Sequence, residues 1–361
     1  MSKKYVIVGG GLTGLSLAHY LHKQNQQVVL LEASDRLGGR FRTESTELGF
    51  IPQSEIAFSA LEWLKSISPT PVHWTEQDHQ PLFFESYEWK NFLGFGDFPS
   101  AVVNELAFFN NGRQIAMEPG FEQITRAMIE QLPFEAKLRA EVTAIECNSD
   151  EAMGVVINAQ DKIAGDHIIF TPSPHLLNTL IVGDFLKAGN RTRLAKQPAW
   201  TSASLTLIHG APVDATSDIR FVLGTGKEFE PVVGRVWPTH STWINMINGE
   251  NAENLEHAGD CIRYIKRTLK RVWPELVEKA KGEKIRIRPQ AYGKHDLKCK
   301  NGFSFSELPN LWLADGRMTD IPGDLGTIEA AHALSRLLVA EPESPVLAPT
   351  EIAESSEIIQ S

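Results

Sequence analysis

The chain has 361 residues, 42% of them hydrophobic and 22% charged, which is enough for a large core and about two structural units. Its formal net charge is −10, but the stretch from residue 341 carries Glu341, Glu343, Glu351, Glu354 and Glu357 with no Lys or Arg, so the body is only mildly acidic. This balance argues against a nucleic-acid partner, which needs a surplus of Lys and Arg facing phosphates.

The first elements read as a βαβ opening. Tyr5 to Val8 is a short apolar run ending in glycines; Leu15, Ala18 and Leu21 follow at helical spacing; Val28 to Leu31 is a second apolar run. Ala57 to Ile67 is expected to be helical, and Pro69 to Phe109 irregular and rich in Trp, Phe and Pro. Regular patterning returns with a helix over Phe121 to Leu132, meander strands over Lys137 to Cys147 and Met153 to Asn158, and a buried strand from His167 to Phe170. Residues 176 to 299 form a second excursion, with strands at Ala203 to His209 and Trp243 to Met246 and a long helix near Asn254 to Val272. A strand at Leu311 to Ala314 and a helix from Thr327 to Val339 close the chain, and the Glu-, Ser- and Pro-rich tail 341–361 is expected to be disordered.

Gly9-Gly10-Gly11-Leu12-Thr13-Gly14 fits GxGxxG between a strand and a helix. There, backbone N–H groups and the helix dipole face a pyrophosphate, and glycines permit the turn and the close approach. Glu32 ends the second strand, about 20 residues on, where a carboxylate accepts hydrogen bonds from an adenosine ribose. Arg36-Leu37-Gly38-Gly39-Arg40 adds a second glycine pair and arginines able to meet a pyrophosphate, which favours FAD over a nicotinamide dinucleotide.

Val6 to Thr43 resembles the flavin-containing amine oxidoreductase superfamily, which includes monoamine oxidases, protoporphyrinogen oxidase, phytoene desaturases and renalase. The resemblance implies an α/β fold, a Rossmann-like FAD-binding domain with an inserted α+β substrate domain. It implies that Gly9, Gly11 and Gly14, with Leu12 and Thr13 between them, cradle the pyrophosphate, that Glu32 holds the ribose beside Ala33 and Arg36, and that Gly39 and Arg40 lie by the pyrophosphate and flavin. A second match, Pro119-Gly120-Phe121 with Leu138 to Ile145, implies that the Val142 backbone meets the adenine. A third covers Pro309 to Gly316 and Gly326 to Ala331. Family members place Gly before Asp here; this chain reverses the order, so Asp315 is the first candidate for the ribityl contact and Asp320 the second, while Gly326, Thr327 and Ile328 are expected to open a helix toward the flavin N1 and C2 carbonyl.

The expected division is a discontinuous FAD-binding domain of residues 1–57, 115–175 and 300–340, with a substrate domain of 58–114 and 176–299. The implied activity is hydride abstraction from a small or moderately apolar substrate, an amine or a reduced ring compound, with electrons passed to oxygen or another acceptor. A nucleotide-binding protein without turnover and a nicotinamide dehydrogenase are the competing readings. Several amine oxidases of the family carry a lysine near the flavin N5, on a strand matching Trp200 to His209, and this strand has none; its pattern is closer to renalase-like members. No cysteine falls just before the Asn310 strand, and Cys299 sits too early to match, so FAD is expected to be non-covalent.

No catalytic residue is assigned. His209, His240 and His295 are acid–base candidates that ordinary packing explains as well. Trp74, Phe83, Phe84, Tyr87, Trp89, Phe92, Phe95, Phe98, Phe108 and Phe109 suit a substrate-domain core, and lining a cavity at the flavin is the alternative for a few of them. The Arg263 to Arg271 cations fit the solvated face of an amphipathic helix. Cys147, Cys261 and Cys299 show neither disulfide nor metal-ligand spacing, no run reaches the roughly 18 apolar residues of a membrane span, and a cytoplasmic protein is expected.

Overall fold

The computed structural model describes residues 2–42, 49–52, 55–77, 82–91, 112–118, 120–196, 200–213, 219–222, 231–247, 251, 254–292, 297–319 and 323–338. Thr43, Phe92, Phe95, Phe98, Phe108, Phe109, Pro119, His295, Asp320 and the tail lie outside them.

The chain opens with β1 (Lys4–Val8), α1 (Leu12–Lys23) and β2 (Gln27–Leu31), the expected βαβ unit, then β3 (Gly49–Pro52) and α2 (Glu55–Ile67). Strands β4 (His73–Gln77), β5 (Leu82–Glu85), β6 (Glu88–Asn91) and β7 (Gly112–Glu118) follow, so the stretch expected to be irregular is partly built of strands. Next come α3 (Phe121–Glu130), β8 (Glu135–Lys137), β9 (Val142–Cys147), β10 (Ala152–Ile157), β11 (Asp161–Ala164) and β12 (His167–Phe170). The second excursion holds α4 (Leu177–Leu180), α5 (Ala188–Ala195), β13 (Trp200–His209), β14 (Ile219–Val222), β15 (Val232–Val236), β16 (His240–Ile247), α6 (Leu255–Val272), α7 (Pro274–Glu278) and β17 (Ala280–Tyr292). The chain ends with β18 (Leu311–Leu313) and α8 (Gly323–Leu338).

A five-stranded parallel sheet, ordered β18-β12-β1-β2-β8, carries the nucleotide-binding motifs. Its central strands β12, β1 and β2 are apolar and buried after their first residues because both faces are covered there. Tyr5 and Ile7 of β1 enter a core with α1, α2, α3 and α8, whereas Val6 and Val8 enter a second core beneath the β9-β10-β11 meander. α2 packs in the first of these cores, so the boundary expected between residues 57 and 58 falls inside a helix that belongs with the nucleotide-binding sheet. The run Lys137 to Cys147, expected as one strand, is divided. β8 ends at Lys137 beside β2, Arg139 adopts a left-handed φ of 53°, and β9 starts afresh against β10.

A mixed seven-stranded sheet, ordered β17-β13-β16-β15-β14-β5-β6, forms the other large layer. α6 covers one face of it, seating Ala258, Cys261, Ile262, Ile265 and Leu269 against Ala203, Leu205, Leu207 and Trp243. Asn254 caps that helix, accepting from the Glu256 and His257 N–H groups at 3.0 and 3.2 Å. Pro289 is tolerated because β17 is an edge strand, and a register shift accompanies it. The remaining sheet orders β3-β7-β4. Among the described residues no helix is long and apolar enough to cross a membrane.

Candidate dinucleotide site

The C-terminal ends of four parallel strands converge on one edge. Gly9 follows β1, Glu32 follows β2, Thr171 follows β12, and Ala314 with Asp315 follow β18. Ligands of open α/β sheets sit at such an edge, where loops and helix N-termini present unpaired backbone groups.

The motif glycines have different reasons to be glycine. Gly9 has φ +103°, and a Cβ there would lie 2.3 Å from Thr171 Oγ1, which donates to Val8 O at 2.9 Å. A Cβ on Gly14 would lie 2.0 Å from Gly9 O, so this glycine lets α1 pack against the loop. Gly11 is extended (φ −77°), and a Cβ on it would meet nothing nearer than Gly39 Cα at 3.9 Å. The protein's own packing therefore makes no demand for glycine at position 11. Gly11 is also the N-cap of α1 and gives it no side-chain cap, and no acidic residue occupies the first turn around Leu12 and Thr13. An uncapped, acid-free helix start behind a bare backbone is an anion site in waiting.

Gly39, at φ +51°, would place a Cβ 2.9 Å from Gly11 Cα, so the two glycine loops meet backbone to backbone. The Gly38 N–H donates to Gly10 O at 2.8 Å and fixes the pair. Glu32 Oε2 accepts from the Gly10 N–H at 2.8 Å, and Oε1 accepts from the Ser34 N–H and hydroxyl at 3.0 and 2.6 Å. Ala33 and Arg36 are exposed beside it, with the Arg36 carbonyl accepting from the Ser34 hydroxyl. The Ala140 N–H donates to Glu32 O at 2.9 Å, which brings Val142, the first residue of β9, alongside the carboxylate-bearing strand end.

The C-terminal segment reaches the same edge. Arg40 Nη2 donates to Thr327 Oγ1 at 3.0 Å, and Gly316 is pressed against this junction, since a Cβ there would lie 2.9 Å from Thr327 N. Gly326, Thr327 and Ile328 do not open the helix, contrary to expectation: α8 begins at Gly323, so they sit at the end of its first turn and start of its second, all buried. Helical geometry extends backward through Leu325 and Asp324 to Gly323, so the positive end of the dipole lies earlier in the chain than Thr327.

Asp315 is engaged by a residue that the sequence reading did not single out. Arg317 donates from its backbone N–H and its Nε to Asp315 Oδ1 at 2.9 and 2.8 Å and from Nη2 to Oδ2 at 3.1 Å. Nη2 also donates to the Ser173 hydroxyl, which lies 2.8 Å from His175 Nδ1. This fork ties the end of β18 to the segment after β12. Only an i,i+2 Asp-Arg spacing hinted at it, and such spacing carries no pairing signal outside regular structure.

Burial pushes the Cys147 thiol up to about 11 and the Cys299 thiol up to about 12, with Glu307 adding to the latter, and Cys261 is fully buried. Neither Cys147 nor Cys299 is a thiolate nucleophile at neutral pH. Among the described residues no group of His, Cys, Asp and Glu has the arrangement of a metal site. His209 is buried at the end of β13, with Nε2 3.2 Å from Ser241 Oγ, and burial lowers its pKa. His240 stacks on Trp237 with ring centroids 4.5 Å apart.

A family profile described as an NAD(P)-binding Rossmann-like domain matches residues 7–74. The L-amino acid oxidase of Cerastes cerastes is 56% identical over 41 residues, which make up 11% of this chain and 8% of that oxidase. Among solved structures, an oxidoreductase from Methanosarcina mazei superposes with a TM-score of 0.63 at 15% identity, over 92% of this chain and 99% of that one. A putrescine oxidase bound to putrescine superposes with a TM-score of 0.63 at 14% identity, over 93% of this chain and 98% of that one. Residues 7–74 thus match an NAD(P)-binding Rossmann-like domain, a short stretch of the chain is similar to L-amino acid oxidases, and the fold is shared with these two solved structures.

Proposed function

We propose that the protein is an FAD-dependent oxidoreductase that binds its cofactor without a covalent bond and takes hydride from a small or moderately apolar substrate, an amine or a reduced ring compound. The observation that carries this reading is Gly11, a glycine that the fold itself does not require, at the uncapped start of α1 and opposite Gly39. The superfamily fold and the oxidase-like segment support a flavin in that place.

FAD would supply a two-electron acceptor at this edge. Gly11, Leu12, Thr13 and Gly14 would present backbone N–H groups to its pyrophosphate, Gly9, whose N–H donates to Leu31 O, would shape the turn, and Arg36 and Arg40 would supply countercharge. Glu32, already oriented by Gly10 and Ser34, would accept from the adenosine ribose, and Val142 would bound the adenine. Asp315, whose carboxylate orientation is set by Arg317, is the candidate for the ribityl hydroxyls, and Gly326 to Ile328 would line the flavin. β13 carries no lysine, so the protein's contribution to hydride transfer is positioning and exclusion of water, and oxygen or another acceptor removes the electrons. Residues 1–57, 115–175 and 300–340, joined by the rest of α2, would hold the cofactor, and the seven-stranded sheet the substrate.

The absorption spectrum of the purified chain before and after acid precipitation tests this. Flavin bands that pass into the supernatant, and that bleach anaerobically with an amine or reduced-ring donor, are expected. A colourless chain that FAD does not reconstitute overturns the reading.

A further inference from the structure

Between β8 and β9 the chain leaves one sheet and enters another, and the bend is made at Arg139, with its left-handed φ of 53°. The backbone around it is held from two sides. The Arg139 N–H donates to Ser34 O at 2.8 Å and the Ala140 N–H to Glu32 O at 2.9 Å, which pins the turn to the segment that carries the candidate ribose acceptor. From the other side Asn158 donates from Nδ2 to Arg139 O at 2.9 Å and accepts at Oδ1 from the Glu141 N–H at 3.0 Å.

A Cβ disfavours this conformation and glycine adopts it freely. Asn25, Asn158 and Asn301 share it, and their short amide side chains tolerate it better than most. Arg139 has no such allowance. Nor does its side chain offset the strain within the protein: it is exposed and, among the described residues, makes no hydrogen bond, ion pair or ring contact. Gly11 is a glycine that the fold does not require, and Arg139 is the reverse, a long side chain where the fold would accept glycine.

Its place in the fold suggests what the side chain is for. Ser34, whose carbonyl accepts from Arg139, donates its hydroxyl to Glu32 Oε1 at 2.6 Å, and Val142, the residue expected to bound the adenine, is three positions further along. The Arg139 side chain is therefore rooted at the adenosine end of the dinucleotide edge.

We propose that Arg139 is a further cofactor-binding residue, whose guanidinium covers the adenine of the bound dinucleotide and is aimed there by the left-handed turn. The inference rests on the proposed function for its ligand and on the clamped turn for its residue. A guanidinium is planar and weakly hydrated, so it stacks on an aromatic ring where a compact ammonium serves only as a point charge. Because the turn is already braced, binding has only the side chain to order.

Calorimetric titration of the full chain, freed of cofactor, uses ADP, FAD and FMN as probes. Arg139→Gly keeps the turn and removes the guanidinium. It is expected to weaken ADP and FAD about fivefold or more, the scale of one base-stacking contact, and to leave FMN, which has no adenine, unchanged. Arg139→Lys keeps the charge without the plane and is expected to lose most of the same affinity. Undiminished ADP affinity in Arg139→Gly overturns the proposal. So does an equal loss for FMN, which would make the effect a general loosening of the site, or full retention by Arg139→Lys, which would assign the residue to a phosphate. If the glycine variant fails to fold, Arg139→Lys decides. A chain whose ADP affinity depends on Arg139 but which takes up no FAD keeps this contact and overturns the flavin reading; a chain that takes up FAD equally well with and without Arg139 does the reverse.

Discussion

Arg40 and Thr327, 287 positions apart in sequence, are joined by a hydrogen bond of 3.0 Å that links the second glycine loop to α8. Through it the N-terminal and C-terminal motifs act as one surface. Thr327→Val keeps the shape and removes the acceptor, and is expected to weaken FAD by about tenfold by freeing the Arg40 side chain, at a cost to stability of roughly 1 kcal/mol. Fluorescence titration of the apoprotein with FAD, together with a thermal melt, checks both; unchanged affinity would show that Arg40 is positioned by other contacts.

Gly11→Ala separates a folding role from a ligand role. The backbone at Gly11 is extended and its nearest prospective contact is at 3.9 Å, so the apoprotein should melt within about 0.5 kcal/mol of the wild type. FAD affinity should nevertheless drop by tenfold or more, because the methyl would occupy the pyrophosphate's approach. Gly14→Ala, by contrast, should unfold or strongly destabilise the chain, since its Cβ would be 2.0 Å from Gly9 O. A Gly11→Ala protein that retains FAD fully would remove the main support for the phosphate loop.

Glu32 is expected to discriminate between flavins. Glu32→Gln should weaken FAD by about 1 to 3 kcal/mol, the scale of a hydrogen bond to a charged group, and leave FMN, which has no adenosine, nearly unaffected. Comparison of the two dissociation constants checks this. Equal losses for both flavins would point instead to a collapse of the loop that Glu32 braces through Gly10 and Ser34.

Glu329 offers a prediction about pH. It lies on α8 at 7% exposure, and Oε2 has no hydrogen-bond partner; burial raises its pKa to about 7 from 4.5, against an opposing pull from Arg336. A folded pKa above the unfolded one means that the contribution to stability is greatest below pH 4.5 and is lost as pH rises through 7. The loss is at most about 3 kcal/mol. Glu329→Gln should therefore raise the melting temperature at pH 8 relative to the wild type and change it little at pH 5. Parallel melting curves for the two proteins across that range would contradict the assignment.

The Rossmann-like opening of this protein was legible in its sequence because each signal there is local. A strand, a glycine turn, a helix and an acidic residue at the next strand's end lie within Lys4 to Glu32, and chain geometry over so short a span leaves little choice. The strands between residues 69 and 91 were not legible. Trp74, Phe83, Phe84 and Trp89 are equally at home in loops and strands, and their pairing partners, such as β7 and β14, lie far along the chain. The Arg317 fork was invisible for the same reason, since its second partner, Ser173, is 144 positions away.

The sequence by itself determined the glycine turn between β1 and α1 and the place of Glu32 at the end of β2, because backbone sterics act over a few residues. Only the tertiary structure decided that Gly11 is the glycine the fold can spare, that α2 packs with the nucleotide-binding sheet, and that Arg139 is held in a left-handed turn between Ser34 and Asn158. Those facts depend on which distant segments pair and in which register.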